Sequence, residues 1–199
     1  MHDVAALAPR IGLGRDRHPF GPGAPLRLGG LEIPGAPRLH GHSDGDVVLH
    51  AVADALLGAA GLGDLGRLAP ADDRTPRGVD SADLVGATLA RLATAGWRPA
   101  GLDLVIVGAR PRLATHLDAI RDRLAELLGV APECVSTKAS TGNLQGPEGE
   151  GRAIAAHVVA TLEPMMPSDR PASSASSRST TVSTSTASSS SSASPERPG

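Results

Sequence analysis

The chain has 199 residues, a formal net charge of −2 and a single cysteine, Cys134. That length fits one domain with a sizeable core. The near-neutral charge gives no broad basic field, which argues against nucleic acid or an anionic membrane as partner. One cysteine excludes an intramolecular disulfide framework and a cysteine-based zinc knuckle, and fits a reducing cytoplasm. The N-terminal MHDVAALAPRIG lacks a basic segment followed by an apolar run, so no secretory signal is expected. No stretch offers the roughly 18 uninterrupted apolar residues of a spanning helix, and the chain reads as soluble.

In chain order, alternating or β-branched apolar residues flanked by Gly or Pro predict strands at RIGLGRD (10–16), PLRLGGLEI (25–33), LDLVIVGA (102–109) and CVSTKAS (134–140). Apolar residues at helical spacing predict helices at 46–60, 81–96, 112–129 and 151–163. Ser43 is the expected N-cap of the first helix, with Asp46 completing an S-x-x-D start; Ser81 is the expected cap of the second. Gly96 and Gly129 fall where left-handed C-caps stop helices. Separated strands and helices in comparable number predict a two-layer α/β domain with helices on one sheet face. From Pro167 the chain becomes a Ser/Thr run with almost no large apolar residue, a composition that predicts disorder. The expected organisation is a flexible N-terminus over 1–8, a catalytic domain over 9–163 and a disordered tail over 164–199.

Two polar clusters stand out. In GLGRDRHPF, Asp16 and His18 are two residues apart, which on a strand puts both side chains on one face. In HGHSDGDVVLHA, His50 follows Asp46 by four residues and shares its helix face. Asp16, His18 and His50 together make an O,N,N donor set that leaves a zinc ion one open position, as catalytic zinc sites do. His40 is expected to be a surface residue.

The order D-x-H, then HSDGDxxLHA, then GLGDLG resembles the family of 2-C-methyl-D-erythritol 2,4-cyclodiphosphate synthases of the non-mevalonate isoprenoid pathway, over residues 9 to 163. The resemblance implies a mixed four-stranded sheet with helices on one face, assembled as a homotrimer with sites between subunits. It implies Zn²⁺ on Asp16, His18 and His50, and a second divalent cation, Mg²⁺ or Mn²⁺, arriving with substrate. His42 and Thr141 would stabilise the transition state. Asp16, His18, His42, Ser43, Asp64, Leu65, Gly66 and Asp73 would face the methylerythritol and phosphate groups, and Asp46 would orient the metal set through a hydrogen bond. A cytidine pocket would be formed by Gly108, Ala109, Arg110, Pro111, Arg112, Leu113 and Ala114 with Ala139, Ser140, Thr141, Gly142 and Asn143. Lys138 reads either as a phosphate ligand or as a solvated edge charge.

The chain departs from the family pattern in two places. Ala69 and Ala71 stand where an aromatic and an acid are usual, and the loop over 142–151 is about two residues short, with Glu148 aligned to the usual arginine and Arg152 the next arginine downstream. The implied reaction cyclises 4-diphosphocytidyl-2-C-methyl-D-erythritol 2-phosphate and releases CMP. Two other readings compete with it: a zinc-dependent phosphate-ester hydrolase and a non-catalytic trimeric paralogue that binds a cytidine nucleotide.

Overall fold

The computed structural model describes residues 8–166; most of the segment expected to be flexible, and nearly all of the tail expected to be disordered, lie outside the described residues. The first strand, β1 (Arg10–Pro19), alternates from Ile11 onward. Ile11 and Leu13 point to solvent at 72% and 66% exposure, while Gly12, Gly14, Asp16 and His18 face inward. A short hairpin follows, β2 (Leu26–Leu28) and β3 (Leu31–Ile33), turned by Gly29 and Gly30 at positive φ. After it come α1 (Val47–Ala60), α2 (Leu65–Leu68), α3 (Ser81–Thr94), β4 (Trp97–Val107), α4 (Leu117–Leu128), β5 (Val135–Ser140), α5 (Gly146–Gly149) and β6 (Ala153–Pro164).

The main sheet has the order β1-β6-β4-β5, antiparallel at the first two pairings and parallel between β4 and β5. It is the mixed four-stranded sheet the resemblance implies. Leu102, Leu104 and Ile106 of β4 and Ile154, Ala156, Val158 and Ala160 of β6 are buried in one core with the apolar face of α1 and with Ile120 and Leu124 of α4.

The segment 151–163 corrects the sequence reading, which expected a helix. It is the central strand β6, paired with β1 on one side and β4 on the other. Its first half is buried on both faces, so it lacks the alternation that marks a half-exposed strand, and a continuous apolar run cannot be told from a buried helix by periodicity. Its alanines favour a helix locally, but pairing on both edges outweighs that preference. The β-branched Ile154, Val158, Val159 and Thr161 carried the contrary signal.

The first two long helices begin within a residue of expectation, but their caps differ, by three residues at α1 and by one at α3. The N-cap of α1 is Asp46, not Ser43: its carboxylate accepts from the backbone N–H groups of Val48 and Leu49. It also accepts from Gly29 (2.9 Å) and Gly30 (2.7 Å), which ties the hairpin turn to the helix. The cap of α3 is Asp80, accepting from Ala82, and Ser81 turns inward. The expected helix over 112–129 begins only at Leu117 and ends at Gly129 in the left-handed conformation.

Asp46 is fully buried, so Asp46→Ala removes a cap worth about 1 kcal/mol and leaves buried N–H groups of the hairpin turn without an acceptor, at about 1–3 kcal/mol each. The expected cost is roughly 3 kcal/mol, read as a lower urea midpoint with an unchanged slope.

Candidate active site

Close approach of α1 to β1 builds the centre of the site. A Cβ on Gly14 would lie 1.9 Å from the carbonyl oxygen of Ala51, and one on Gly12 would lie 2.0 Å from that of Ala55. The two glycines therefore let the helix backbone rest on the strand, and His50, one turn into α1, reaches the Asp16–His18 pair. Asp16 Oδ2 lies 2.8 Å from His18 Nε2 and 2.9 Å from His50 Nδ1, and the two ring nitrogens are 3.3 Å apart. Among the described residues these three form the one group of His, Cys, Asp or Glu side chains whose ligand atoms converge as a metal site requires.

The donor set fits zinc. Ligands at about 2.0–2.2 Å in a tetrahedron place their donor atoms roughly 3.3–3.6 Å apart, so the three need spread by only a few tenths of an ångström. Each ring has its second nitrogen engaged. His18 Nδ1 donates to the backbone carbonyl of His40, and His50 Nε2 lies 2.8 Å from Ser43 Oγ and 3.1 Å from Ser81 Oγ. Such outer hydrogen bonds fix ring orientation in metal sites. His40 thus has an exposed side chain, as expected, but its carbonyl takes part in the site. Asp46, expected to orient a ligand by hydrogen bonding, is turned toward Gly29 and Gly30 instead.

Burial disfavours charge on both Asp16 and His18, yet their mutual hydrogen bond and attraction win: the Asp16 carboxyl is held well below the usual carboxylate range, and His18 is raised above its ordinary value. A raised histidine keeps its proton to higher pH and must release it to bind a metal. Zinc uptake is therefore expected to release protons and to weaken as pH falls through the histidine range, checked by competition titrations at pH 8 and pH 6.

Around the triad lies a cavity of about 310 Å³ lined by Asp16, His18, His42, Ser43, His50, Asp54, Leu65, Gly66, Ala69, Ala71 and Thr75, among others. His42 Nε2 bonds the carbonyl of Thr75 at 2.8 Å. Asp64 caps α2 through the N–H of Arg67 and sets the turn that presents Leu65 and Gly66. Asp73 lies beside His42 in an adjoining depression with Asp72, Pro76 and Arg77. Sequence reasoning missed Asp54, which is four residues beyond His50 on α1. It accepts from Leu65 N–H at 2.7 Å, and burial lifts its carboxyl above the usual range. Asp44 was also missed as a partner of Ser81, whose hydroxyl it accepts at 2.5 Å. The helical i, i+4 spacing from His50 could have found Asp54, whereas nothing local links Asp44 to Ser81, 37 residues away.

A second cavity, of about 360 Å³, is lined by Gly108, Ala109, Pro111, Arg112, Leu113, Ala114, Ala139, Ser140 and Thr141. These are nine of the twelve residues that the resemblance assigns to the cytidine pocket. Arg110 is turned away: its Nε donates to the carbonyl of Gly151 and its guanidinium stacks on Phe20, 5.0 Å from the ring centroid. Gly142 and Asn143 continue the chain from Thr141 in a left-handed turn that includes Leu144. Lys138 pairs with Asp103 and does not line the cavity. Glu148 faces Arg17 at 3.5 Å, and Arg152 pairs with Glu150.

A model of the YgbB family matches residues 9–163. The chain belongs to the YgbB family. Curated relatives named 2-C-methyl-D-erythritol 2,4-cyclodiphosphate synthase include that of Gemmatimonas aurantiaca, 43% identical over 157 residues, spanning 79% of this chain and 95% of the relative. Another, from Symbiobacterium thermophilum, is 47% identical over 152 residues, spanning 76% of this chain and 97% of the relative. Among solved structures, a CDP-bound 2C-methyl-D-erythritol-2,4-cyclodiphosphate synthase aligns with a TM-score of 0.66 at 37% identity, over 77% of this chain and 100% of its own. The bifunctional IspDF of Campylobacter jejuni aligns with a TM-score of 0.73 at 32% identity, covering 79% of this chain and 43% of that one. The YgbB match and the two cavities concern the same stretch of chain.

Proposed function

We propose that this YgbB-family enzyme converts 4-diphosphocytidyl-2-C-methyl-D-erythritol 2-phosphate to 2-C-methyl-D-erythritol 2,4-cyclodiphosphate and CMP. The observation that carries the reading is the presence, in one family member, of a three-donor metal pocket and of a separate cavity whose lining matches the cytidine pocket implied by the sequence. A relative of the same fold is described in a CDP-bound form.

The reaction needs an anionic 2-phosphate oxygen to attack the β-phosphorus while the bond to the α-phosphate oxygen breaks and CMP leaves. The nucleophile arrives ionised, so no general base is required, and positioning with charge neutralisation supplies the rate. Asp16, His18 and His50 would hold Zn²⁺, which when bound supplies Lewis-acid polarisation of the diphosphate; Mg²⁺ or Mn²⁺ enters with the substrate phosphates, which are suitable oxygen ligands. His42, held by Thr75, and Ser43 stand beside the triad as phosphate-side donors. Leu65 and Gly66, presented by Asp64 and Asp54, bound the methylerythritol side. In the other cavity, backbone groups of 108–114 read the base and Thr141 donates to the diphosphate.

The half-sites lie at opposite edges of the sheet. Asp16 of β1 is in register with Ala156, Ile106 and Ala139 of the following strands, three strand spacings or about 14 Å apart. Edge placement supports a homotrimer in which one subunit's β1 side meets a neighbour's β5 side. The helix-free sheet face, with Ile11, Leu13 and Val159 exposed, supports the same assembly, since such a face gains by being covered. The expected solution mass is three times the 20.0 kDa of the chain, measured by light scattering. No helix among the described residues is long and apolar enough to cross a membrane, in keeping with a cytoplasmic enzyme.

The deciding experiment is a ³¹P NMR time course with the cytidine diphosphate substrate, Zn²⁺ and Mg²⁺. Cyclic diphosphate and CMP appear together if the reading is right. Inorganic phosphate would point to a hydrolase, and CMP binding without turnover to a non-catalytic paralogue, the outcome that Ala69 and Ala71 in the pocket wall would then explain.

A further inference from the structure

Ser81 is fully buried and its Oγ sits among three polar groups. It lies 2.5 Å from Asp44 Oδ1, 3.1 Å from His50 Nε2 and 3.4 Å from Ser43 Oγ, and Asp44 Oδ2 also accepts from the backbone N–H of Ser81 at 3.3 Å. A serine hydroxyl carries one proton and two lone pairs. The carboxylate of Asp44 only accepts, and it is the closest and strongest acceptor in reach, so the Ser81 proton is committed to it. Ser81 therefore presents a lone pair to His50 Nε2. If Nε2 also presented a lone pair, two acceptors would face each other at 3.1 Å in a buried site. The arrangement is satisfied when Nε2 carries the proton and shares it between Ser43 Oγ at 2.8 Å and Ser81 Oγ. Nδ1 then keeps its lone pair and faces Asp16 Oδ2 at 2.9 Å and His18 Nε2 at 3.3 Å, a meeting of donor atoms that a cation held between them satisfies.

From this proton count we infer that Asp44 and Ser81 are positioning residues: the Asp44 carboxylate polarises and orients the Ser81 hydroxyl, which together with Ser43 locks His50 in the Nε2–H tautomer and leaves Nδ1 as the metal donor. The inference rests on the metal reading of Asp16, His18 and His50. It assigns a function to the residue that opens α3, 31 positions beyond His50, and it couples the loop after the 69–77 segment to the metal centre. Ser81 is not the helix cap, because Asp80 performs that task, so its hydroxyl is not needed to start α3.

The test measures zinc affinity by chelator competition, the visible spectrum of the Co²⁺-substituted protein, and the His50 Nε2–H resonance of the zinc-loaded protein. Ser81→Ala is expected to weaken zinc binding about 10- to 100-fold, the usual range for losing an outer partner of a metal-bound histidine, to shift the Co²⁺ bands and to speed exchange of the Nε2 proton. Asp44→Ala, which frees the Ser81 proton to turn toward Nε2, should do the same, and the double variant should lose no more than either single one, as members of one relay do. Asp80→Ala is the control: it removes the cap and lowers the melting temperature but leaves zinc affinity unchanged. Equal zinc affinity in Ser81→Ala and the parent protein would overturn the relay, as would affinity losses that track melting temperature across all the variants. A parent protein that binds no zinc would instead sink the metal reading, so the two failures are distinguishable.

Discussion

His50→Ala is expected to yield a folded protein that no longer retains zinc and turns over at least about 10³-fold more slowly. The triad has only three protein donors, and removing one leaves Asp16 and His18, a two-residue site on one strand with no contribution from α1. On the proposed function, several kcal/mol of charge stabilisation at the reacting phosphates would depend on the ion, and about 4 kcal/mol in the barrier corresponds to 10³ in rate. The side chain is partly buried in the lining of a cavity and is not part of the apolar core, so the fold is expected to tolerate its loss. Ser43 and Ser81 lose a partner but regain water through the space left by the ring. Metal content after dialysis and CMP release measured on the same sample check both halves. Zinc retained at one equivalent would remove His50 from the ligand set.

Gly14→Ala is expected to do the opposite, damaging the fold and the site together. The added methyl would meet the Ala51 carbonyl oxygen at 1.9 Å and the Ala55 nitrogen at 2.7 Å. Both are backbone atoms of a buried helix, so no side chain can swing away to relieve the clash. The helix must lift by more than an ångström from a sheet packed as densely as an organic crystal. Overpacking against rigid backbone belongs to the costly end of small-to-large substitutions, and we expect about 4 kcal/mol or more. His50 moves with the helix, so zinc affinity should fall even where the variant is still folded. Urea unfolding of the metal-free protein and zinc titration below the transition separate the two effects. A variant with unchanged stability would mean that α1 does not rest on β1 as closely as described.

The site was more legible in the sequence than the sheet that carries it. Asp16 and His18 were readable because a period of two is intrinsic to a strand, and His50 because the motif that holds it opens a strongly apolar helix. The nine cavity residues between Gly108 and Thr141 came from the resemblance, since a strand-to-helix turn followed much later by a strand end has no local signature of a nucleotide pocket. The strand over 153–164 was misread because its burial on both faces erases the alternation by which strands are found, and because alanine contributes helical preference at Ala155, Ala156 and Ala160. Asp46 was misplaced for a different reason: besides capping Val48 and Leu49, its carboxylate accepts from Gly29 and Gly30, and those glycines are too remote in sequence for capping patterns to include. The Asp44–Ser81 contact was invisible for the same reason, being created wholly by the way α3 docks.

The Asp16–His18–His50 cluster, on β1 and α1, and the cavity lined by 108–114 and 139–141 lie at opposite ends of the sheet, which on the proposed function has an evolutionary corollary. Within one subunit, two strands with buried Ile106 and Ala156 stand between the two ends, so a substitution that reshapes one end reaches the other in the same chain only by twisting the sheet. On that reading, preference for the base and competence at the phosphates are expected to vary separately among relatives. Relatives that differ at 108–114 and 139–141 but keep the Asp16–His18–His50 cluster are then expected to differ in the nucleotide they accept and not in the chemistry they perform.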